Sequence, residues 1–401
     1  MPLRPLNGHG GVRAPWLLVL SFLSMTAPLA TDLYLPSFPR VQQEFAATAS
    51  GVQLTLTGFL LGMAAGQLAF GSISDKFGRM KPLLVGNAGA ILASVVAALA
   101  PNLEVLIGAR LVQGICGAAG IVIARAIIVD LTHGSETPRT LSLLMTVNGV
   151  APAVAPSIGA LLEDPIGWRG IMWTLAALFA LMMLSVSFVV RETLPPEKRG
   201  GHGIVGGFAQ LFKVPRYLGY AALFATAFAA MMSYIPASPF VYQVVMGLPP
   251  IAYGALFGLN AAGLIIAGYI SSRLVRRIPP ERIVGVAAPL LLVFCLLTLV
   301  LALAPGPRWV LAVPIWCAVT SVGFIMGNAS ALALGAVRHV SGSGSALLGA
   351  AQFVFGAIVS PLSGLAGEHT AVPMAVVMTV AAGVAAALAL ALRSRRPAQV
   401  A

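Results

Sequence analysis

Stretches of about twenty apolar residues recur from one end of this chain to the other, and few folds accommodate them. A helix needs roughly 20 such residues to cross a hydrocarbon core about 30 Å thick. Twelve runs reach that length, at 16–36, 51–73, 83–100, 103–130, 141–162, 170–190, 216–243, 251–272, 283–304, 309–334, 343–366 and 371–392. In lipid every backbone N–H and C=O must be satisfied within the segment, so each run is expected to be a helix. Only 9% of the 401 residues are charged and 58% are hydrophobic, as an integral membrane protein requires. The expected fold class is an all-α polytopic membrane protein with twelve transmembrane helices. Arg4, Arg13, Ala27 and Ala30 give the first run some features of a signal peptide. Its length and its Pro-rich exit identify it instead as an uncleaved first helix.

The net charge of +12 is explained by topology rather than by a nucleic-acid partner. With the N-terminus in the cytoplasm, 20 of the 24 Lys and Arg residues fall on the cytoplasmic side. They include Lys76, Arg79 and Lys81, the cluster Arg273, Arg276, Arg277 and Arg282, and Arg393, Arg395 and Arg396. Arg40, Arg169 and Arg308 lie outside, and Arg110 lies within the membrane. This bias predicts a multi-pass protein with both termini cytoplasmic. Cys116, Cys295 and Cys317 lie inside runs and read as packing residues. His9, His133, His202, His339 and His369 form no ligand cluster, so no metal is expected.

The polar interval from Arg191 to Arg216 divides the runs six and six. The halves repeat at an offset of about 200 residues. Tyr34-Leu-Pro-Ser-Phe-Pro-Arg-Val-Gln-Gln43 matches Tyr234-Ile-Pro-Ala-Ser-Pro-Phe-Val-Tyr-Gln243, and Gly71-Ser-Ile-Ser-Asp-Lys-Phe-Gly-Arg79 matches Gly268-Tyr-Ile-Ser-Ser-Arg-Leu-Val-Arg276. Ala155-Pro-Ser-Ile-Gly159 matches Ser360-Pro-Leu-Ser-Gly364. Six helices per repeat preserve topology, so two pseudo-symmetric bundles related by an axis along the membrane normal are expected. The domains are 1–194, a linker at 195–213, and 214–401.

One of the 12 acids, Asp32, lies well inside a run; the other 11 fall in loops or at run ends. A charge at that depth costs several kcal/mol and is a functional candidate by default. Its counterpart in the second half is Met232. A straight first helix would carry Asp32 roughly 22 Å up the core. Arg110 would lie roughly 9 Å below the outer face in the fourth run, so the two charges share a depth. Arg110 can line a cavity with Asp32, or snorkel to the outer head groups.

Three motifs carry a family resemblance: Gly71 to Pro82 after the second run, Arg110-Leu-Val-Gln-Gly-Ile-Cys-Gly117, and Asn148-Gly-Val-Ala-Pro-Ala-Val-Ala-Pro-Ser-Ile-Gly159. With them the whole chain resembles the major facilitator superfamily. Thr31-Asp-Leu-Tyr-Leu-Pro36, Pro239-Phe-Val-Tyr-Gln243 and Leu256-Phe-Gly-Leu-Asn-Ala-Ala-Gly263 resemble its drug/proton antiporters of the Bcr/CflA type. The resemblance implies a conformational latch at Gly71, Asp75, Gly78, Arg79 and Asp130. In that latch the glycines allow close helix approach, Asp75 faces a helix N-terminus such as that of the eleventh span, and Arg79 pairs with Asp130. The alternative is a solvated basic turn. Pro152, Pro156 and Gly159 are read as a kink in the fifth helix, or an ordinary bent span. The family has Gly where this chain has Ala155.

Asp32 and Arg110 are the candidate proton-coupling residues. Substrate is expected at Asp32, Tyr34, Phe59, Arg110, Gln113, Asn148, Met231, Tyr234, Asn260 and Gln352. Met25, Met63, Met145, Met231 and Met232 can form a soft apolar wall or face lipid. No Gly-x-x-x-x-Gly-Lys-Ser/Thr loop is present, so ATP is not expected to act. The implied protein is a monomeric, proton-coupled exporter of small amphipathic molecules in a lipid bilayer, with the proton as coupling ion and no cofactor. Uptake by proton symport and a receptor without transport are the rivals; an enzyme is not expected.

Overall fold

The computed structural model describes residues 12–132, 136–200, 210–337 and 341–394, excepting the side chains of 138–139, 142, 145–150, 153, 198, 341–342 and 394. Arg4, Arg139, Lys198, Arg338, Arg395, Arg396 and the histidines other than His369 therefore lie outside the described residues or side chains. The helices are α1 (Ala14–Ser24), α2 (Thr26–Asp32), α3 (Phe38–Glu44), α4 (Ala49–Phe77), α5 (Met80–Ala98), α6 (Leu103–Leu131) and α7 (Glu136–Val189). There follow α8 (Pro215–Tyr234), α9 (Pro250–Leu274), α10 (Pro280–Leu303), α11 (Ala312–Gly335), α12 (Ser341–Leu362) and α13 (Val372–Ser394). Local chemistry starts several of them. Asn102 caps α6 by accepting from Val105 N at 2.9 Å, and Pro215, Pro250 and Pro280 sit in first turns, where no helical N–H is needed.

Among the described residues ten helices are long and apolar enough to cross a membrane, or eleven if the bent first pair is one span. The fifth and sixth runs follow one another without a loop as the two legs of α7, which meet where the backbone leaves helical geometry at Gly167 (φ 64°). The backbone dihedrals stay helical through Pro152 and Pro156, and the break at Gly167 falls between the fifth and sixth runs. The first span is not straight either: Ala14–Ser24 and Thr26–Glu44 meet at 43°. The bend shortens the rise to Asp32 from that of a straight axis.

Apolar surface faces outward as lipid demands. Along α10, Val286, Leu290, Val293, Leu297 and Val300 form one exposed stripe at helical spacing.

The chain divides into two compact units, Met1–Val41 with Gly58–His202, and Gln42–Thr57 with Gly203–Ala401. In the first, α5 packs on α6 and α7, while α1 and α2 pack on α6 and α7. In the second, α10 packs on α11 and α13, while α8 packs on α11, α12 and α13. The two patterns correspond element by element, which is the packing counterpart of the repeat in sequence. The opening of α4 belongs with the second unit, where Gln53 donates to Pro236 O (3.2 Å) and Ser50 to Pro361 O (2.8 Å).

Within the first unit α4 and α6 meet at backbone distance. A Cβ at Gly62 would overlap the Leu111 carbonyl oxygen, and one at Gly114 would overlap Phe59 O. Small residues at four-residue spacing (Gly58, Gly62 and Gly66) make this approach possible. Gly108, on the same α6, has no atom within 4 Å of a built Cβ. Gly114→Ala should therefore cost about 1–3 kcal/mol through overpacking. Gly108→Ala should be neutral or stabilise by up to about 1 kcal/mol through helix propensity. Melting of the two detergent-solubilised variants checks this; equal melting temperatures would mean that the contact does not govern stability.

Candidate functional site

Pro36 determines where α2 ends. Its ring nitrogen cannot donate to the carbonyl of residue 32, so the helix must end at Asp32. Tyr34 N turns to Thr31 O (3.3 Å) instead of continuing the ladder to Ala30. The Ala30 carbonyl thus loses its helical partner, and Arg110 Nη2 supplies a substitute at 2.8 Å.

Arg110 is fully buried. Its Nη1 donates to Gln113 Oε1, one turn on, and Gln113 Nε2 donates to Ser94 Oγ on α5 at 2.6 Å. The guanidinium lies 4.5 Å from the Phe59 ring and 5.2 Å from the Tyr34 ring. Desolvated cation–π contacts of this kind are worth about 2 kcal/mol, which offsets part of the cost of burying the charge. The Gly62–Gly114 approach brings Phe59 to the cation. Arg110 Nε has no hydrogen-bond partner in this environment.

Asp32 is 5% exposed and accepts a hydrogen bond from the Thr31 hydroxyl at 2.9 Å. It makes no ion pair with Arg110. The two charges meet indirectly, through the short helix whose Ala30 carbonyl Arg110 holds. Asp32, Tyr34, Phe59, Arg110 and Gln113 thus come together in the first unit. Asn148, on α7, has a side chain outside the described residues, as does Met145.

In the second unit Tyr234 and Asn260 meet as part of a larger aromatic cluster. Asn260 Nδ2 donates to Tyr234 OH (2.9 Å), Tyr242 OH (3.2 Å) and Leu256 O (3.0 Å). Tyr234 stacks on Phe257 with centroids 5.8 Å apart, and Tyr253 lies within about 6 Å of both Tyr242 and Phe257. Met231 and Gln352 are half-buried and belong to neither cluster. Tyr242, Tyr253 and Phe257 were not among the expected substrate residues. Their spacing on either side of Pro249-Pro250 offered no periodicity that would join them.

Arg79, Asp75 and Asp130, expected to form the latch, make an ion-pair network. Arg79 Nε donates to Asp130 Oδ2 at 2.9 Å, Nη2 to Asp130 Oδ1 at 3.2 Å, and Nη1 to Asp75 Oδ1 at 2.5 Å. Asp75 takes up Arg79, and residues 338–342 at the start of the eleventh span lie outside the described residues or side chains. One expectation needs correcting. Gly71 has no atom within 4 Å of a built Cβ, so no close helix approach requires it. Gly78, at φ 88°, is needed for the turn itself.

Glu192 completes the network and was not anticipated. Its carboxylate accepts from Arg79 N (2.8 Å), Met80 N (3.2 Å), Thr193 N (3.1 Å) and Leu194 N (3.0 Å), capping the start of α5. Thr193 Oγ1 donates to Asp130 Oδ2 at 2.9 Å. Burial pushes the Glu192 carboxyl up, yet the backbone donors and Arg199 together hold it below its ordinary value. A carboxyl held low in the folded state stabilises above the ordinary glutamate value and loses that contribution as pH falls through its own lowered value. Glu192→Gln should therefore melt earlier than wild type at neutral pH. The gap should close as pH drops below about 4.3. A gap that persists in acid would assign the effect to packing.

Residues 20–361 match the Major Facilitator Superfamily. The chain is 36% identical over 381 residues to an uncharacterised MFS-type transporter, YdgK, of Bacillus subtilis, covering 94% of each. It is 30% identical over 362 residues to a bicyclomycin resistance protein homolog of Haemophilus influenzae, covering 90% of this chain and 91% of that one. The crystal structure of a bacterial homolog to the human lysosomal transporter Spinster superposes with a TM-score of 0.76 at 16% identity, over 97% of this chain and 100% of that one. That likeness concerns the fold alone. With its duplicated bundles, its broken first span and a family match over most of its length, the chain belongs to the Major Facilitator Superfamily.

Proposed function

We propose that this protein is a proton-coupled exporter of small amphipathic compounds, working by alternating access as a monomer in a bacterial inner membrane with both termini cytoplasmic. The two legs of α7 on either side of Gly167 count as separate spans, and the bent first pair as one, giving twelve. A straight 54-residue helix would be about 80 Å long, far more than a hydrocarbon core requires.

The observation that carries this reading is Asp32. It is a buried carboxyl at the end of α2, hydrogen-bonded to a neighbouring hydroxyl and, among the described residues, in no ion pair. Such a group can take up a proton when its surroundings are apolar and give it up when water, substrate or a cation comes near. Rocking of one bundle against the other changes those surroundings, and that is what coupling needs. Moving one charge through 100 mV supplies about 2.3 kcal/mol before any pH gradient is added. Export is favoured over uptake by the relative named for bicyclomycin resistance.

The cycle runs in one order. Asp32 receives its proton from the outer side as substrate leaves, and releases it inward as substrate binds. Substrate added to purified protein in weak buffer should therefore release protons, and Asp32→Asn should abolish both that release and export while leaving the protein inserted. Undiminished release by the variant would move the coupling site elsewhere.

A further inference from the structure

A second acid is buried in the first unit, and the transport reading above does not use it. Glu163 lies on α7 and is 1% exposed. Its Oε2 shares a hydrogen bond with the Ser37 hydroxyl. Its Oε1 is sealed from solvent without a hydrogen bond, although Arg40 Nε lies 3.3 Å away. Arg40 is itself committed to neighbouring groups, donating to Glu163 O (3.0 Å) and Asp164 Oδ1 (2.6 Å). The charged groups facing Glu163 are thus Arg40, on α3, and Asp164, beside it on α7.

This arrangement suits an acid that gains and loses a proton. An ionised carboxylate has acceptor capacity on both oxygens, and here one oxygen has no donor. The neutral acid needs an acceptor for its O–H, and a serine hydroxyl can act as either partner. Arg40, about half exposed, keeps the ionised form accessible from the solvent side.

The position links this acid to Asp32. Four residues before Glu163, a Cβ at Gly159 would overlap the carbonyl of Leu33, the residue after Asp32. Four residues after Leu33, Ser37 meets Glu163. Two contacts, each one helical turn apart on both partners, therefore lay the exit of the first span along α7. A change of charge at Glu163 alters one of the two points that hold the segment carrying Asp32.

We infer that Glu163 is a second proton-binding residue of the transport cycle, set on the outer part of the first bundle and acting on Asp32 through the Leu33–Ser37 segment. The inference rests on the transport reading for its role in the cycle, but proton binding at Glu163 can be tested without transport. Infrared spectra of the purified full chain over a pH series report protonated carboxyls through their C=O stretch. D32N should retain one buried carboxyl band that titrates, and D32N/E163Q should lose it. No titrating band in D32N, or one that persists in the double variant, would overturn the inference. If E163Q does not fold, D32N/S37A takes its place: the band should titrate at a different pH, and an unmoved midpoint rejects the proposal. In proteoliposomes E163Q should shift the external pH of half-maximal export, with E163D, which keeps the carboxyl, shifting it less. Superimposable profiles for E163Q and wild type would exclude a part in the cycle even if the band titrates. Loss of export in D32N bears on the transport reading alone.

Discussion

A backbone carbonyl without its helical partner, held by a buried arginine, is the contact on which the first bundle depends. Pro36 ends the helix at Asp32, the turn at Tyr34 leaves Ala30 O unbonded along the helix, and Arg110 reaches it across from α6. In a hydrocarbon setting an unsatisfied carbonyl and an unpaired guanidinium each cost several kcal/mol, and this one contact reduces both costs. It also fixes where Asp32 stands. The acid is placed at a designed interruption of the helix, not on a regular wall.

The surrounding packing serves this contact. Gly62 and Gly114 let α4 and α6 approach at backbone distance, which brings the Phe59 ring onto the Arg110 cation. Gln113 and Ser94 orient the same guanidinium from behind and tie α6 to α5. Gly159 lets α7 rest on the backbone just after Asp32. Two elements, α6 and α7, therefore pack on a seven-residue helix, and α4 and α5 hold the Arg110 side chain and its partner in place. The second unit repeats the device in altered form. Its break after α8 follows Tyr234, Gln53 holds the Pro236 carbonyl, and Met232 stands where the acid would be. Charge chemistry is concentrated in one half, and aromatic surface around Asn260 is concentrated in the other.

Helix content and the repeat were legible in the sequence because apolar run length and motif order are local signals. So was the Arg79–Asp130 pair, because motif residues near two helix ends on the same membrane face have few other partners. The Asp32–Arg110 relation was legible only in part. Matching depth brought the two into one region, but hydrogen-bond geometry sent the guanidinium to Ala30 O, and nothing in one dimension reveals a carbonyl freed by a proline six residues later. Glu163 and Glu192 were read as ordinary acids at run ends. Their burial depends on partners far away in sequence, Ser37 for one and the turn at Arg79 for the other. That the fifth and sixth runs meet without a loop depends on the conformation of Gly167, which composition does not report.

The central claim is that Arg110, by holding the Ala30 carbonyl, keeps Asp32 in the geometry that couples proton to substrate. Counting protons released per substrate bound by purified Arg110→Gln tests it most directly, with folding checked by elution as a single species. The account predicts that the folded variant still binds substrate, more weakly, but releases far fewer protons per molecule bound. Arg110→Lys, which keeps the charge without the planar fork, should fall between the two. Release per bound substrate equal to wild type in a folded Arg110→Gln protein would contradict the account.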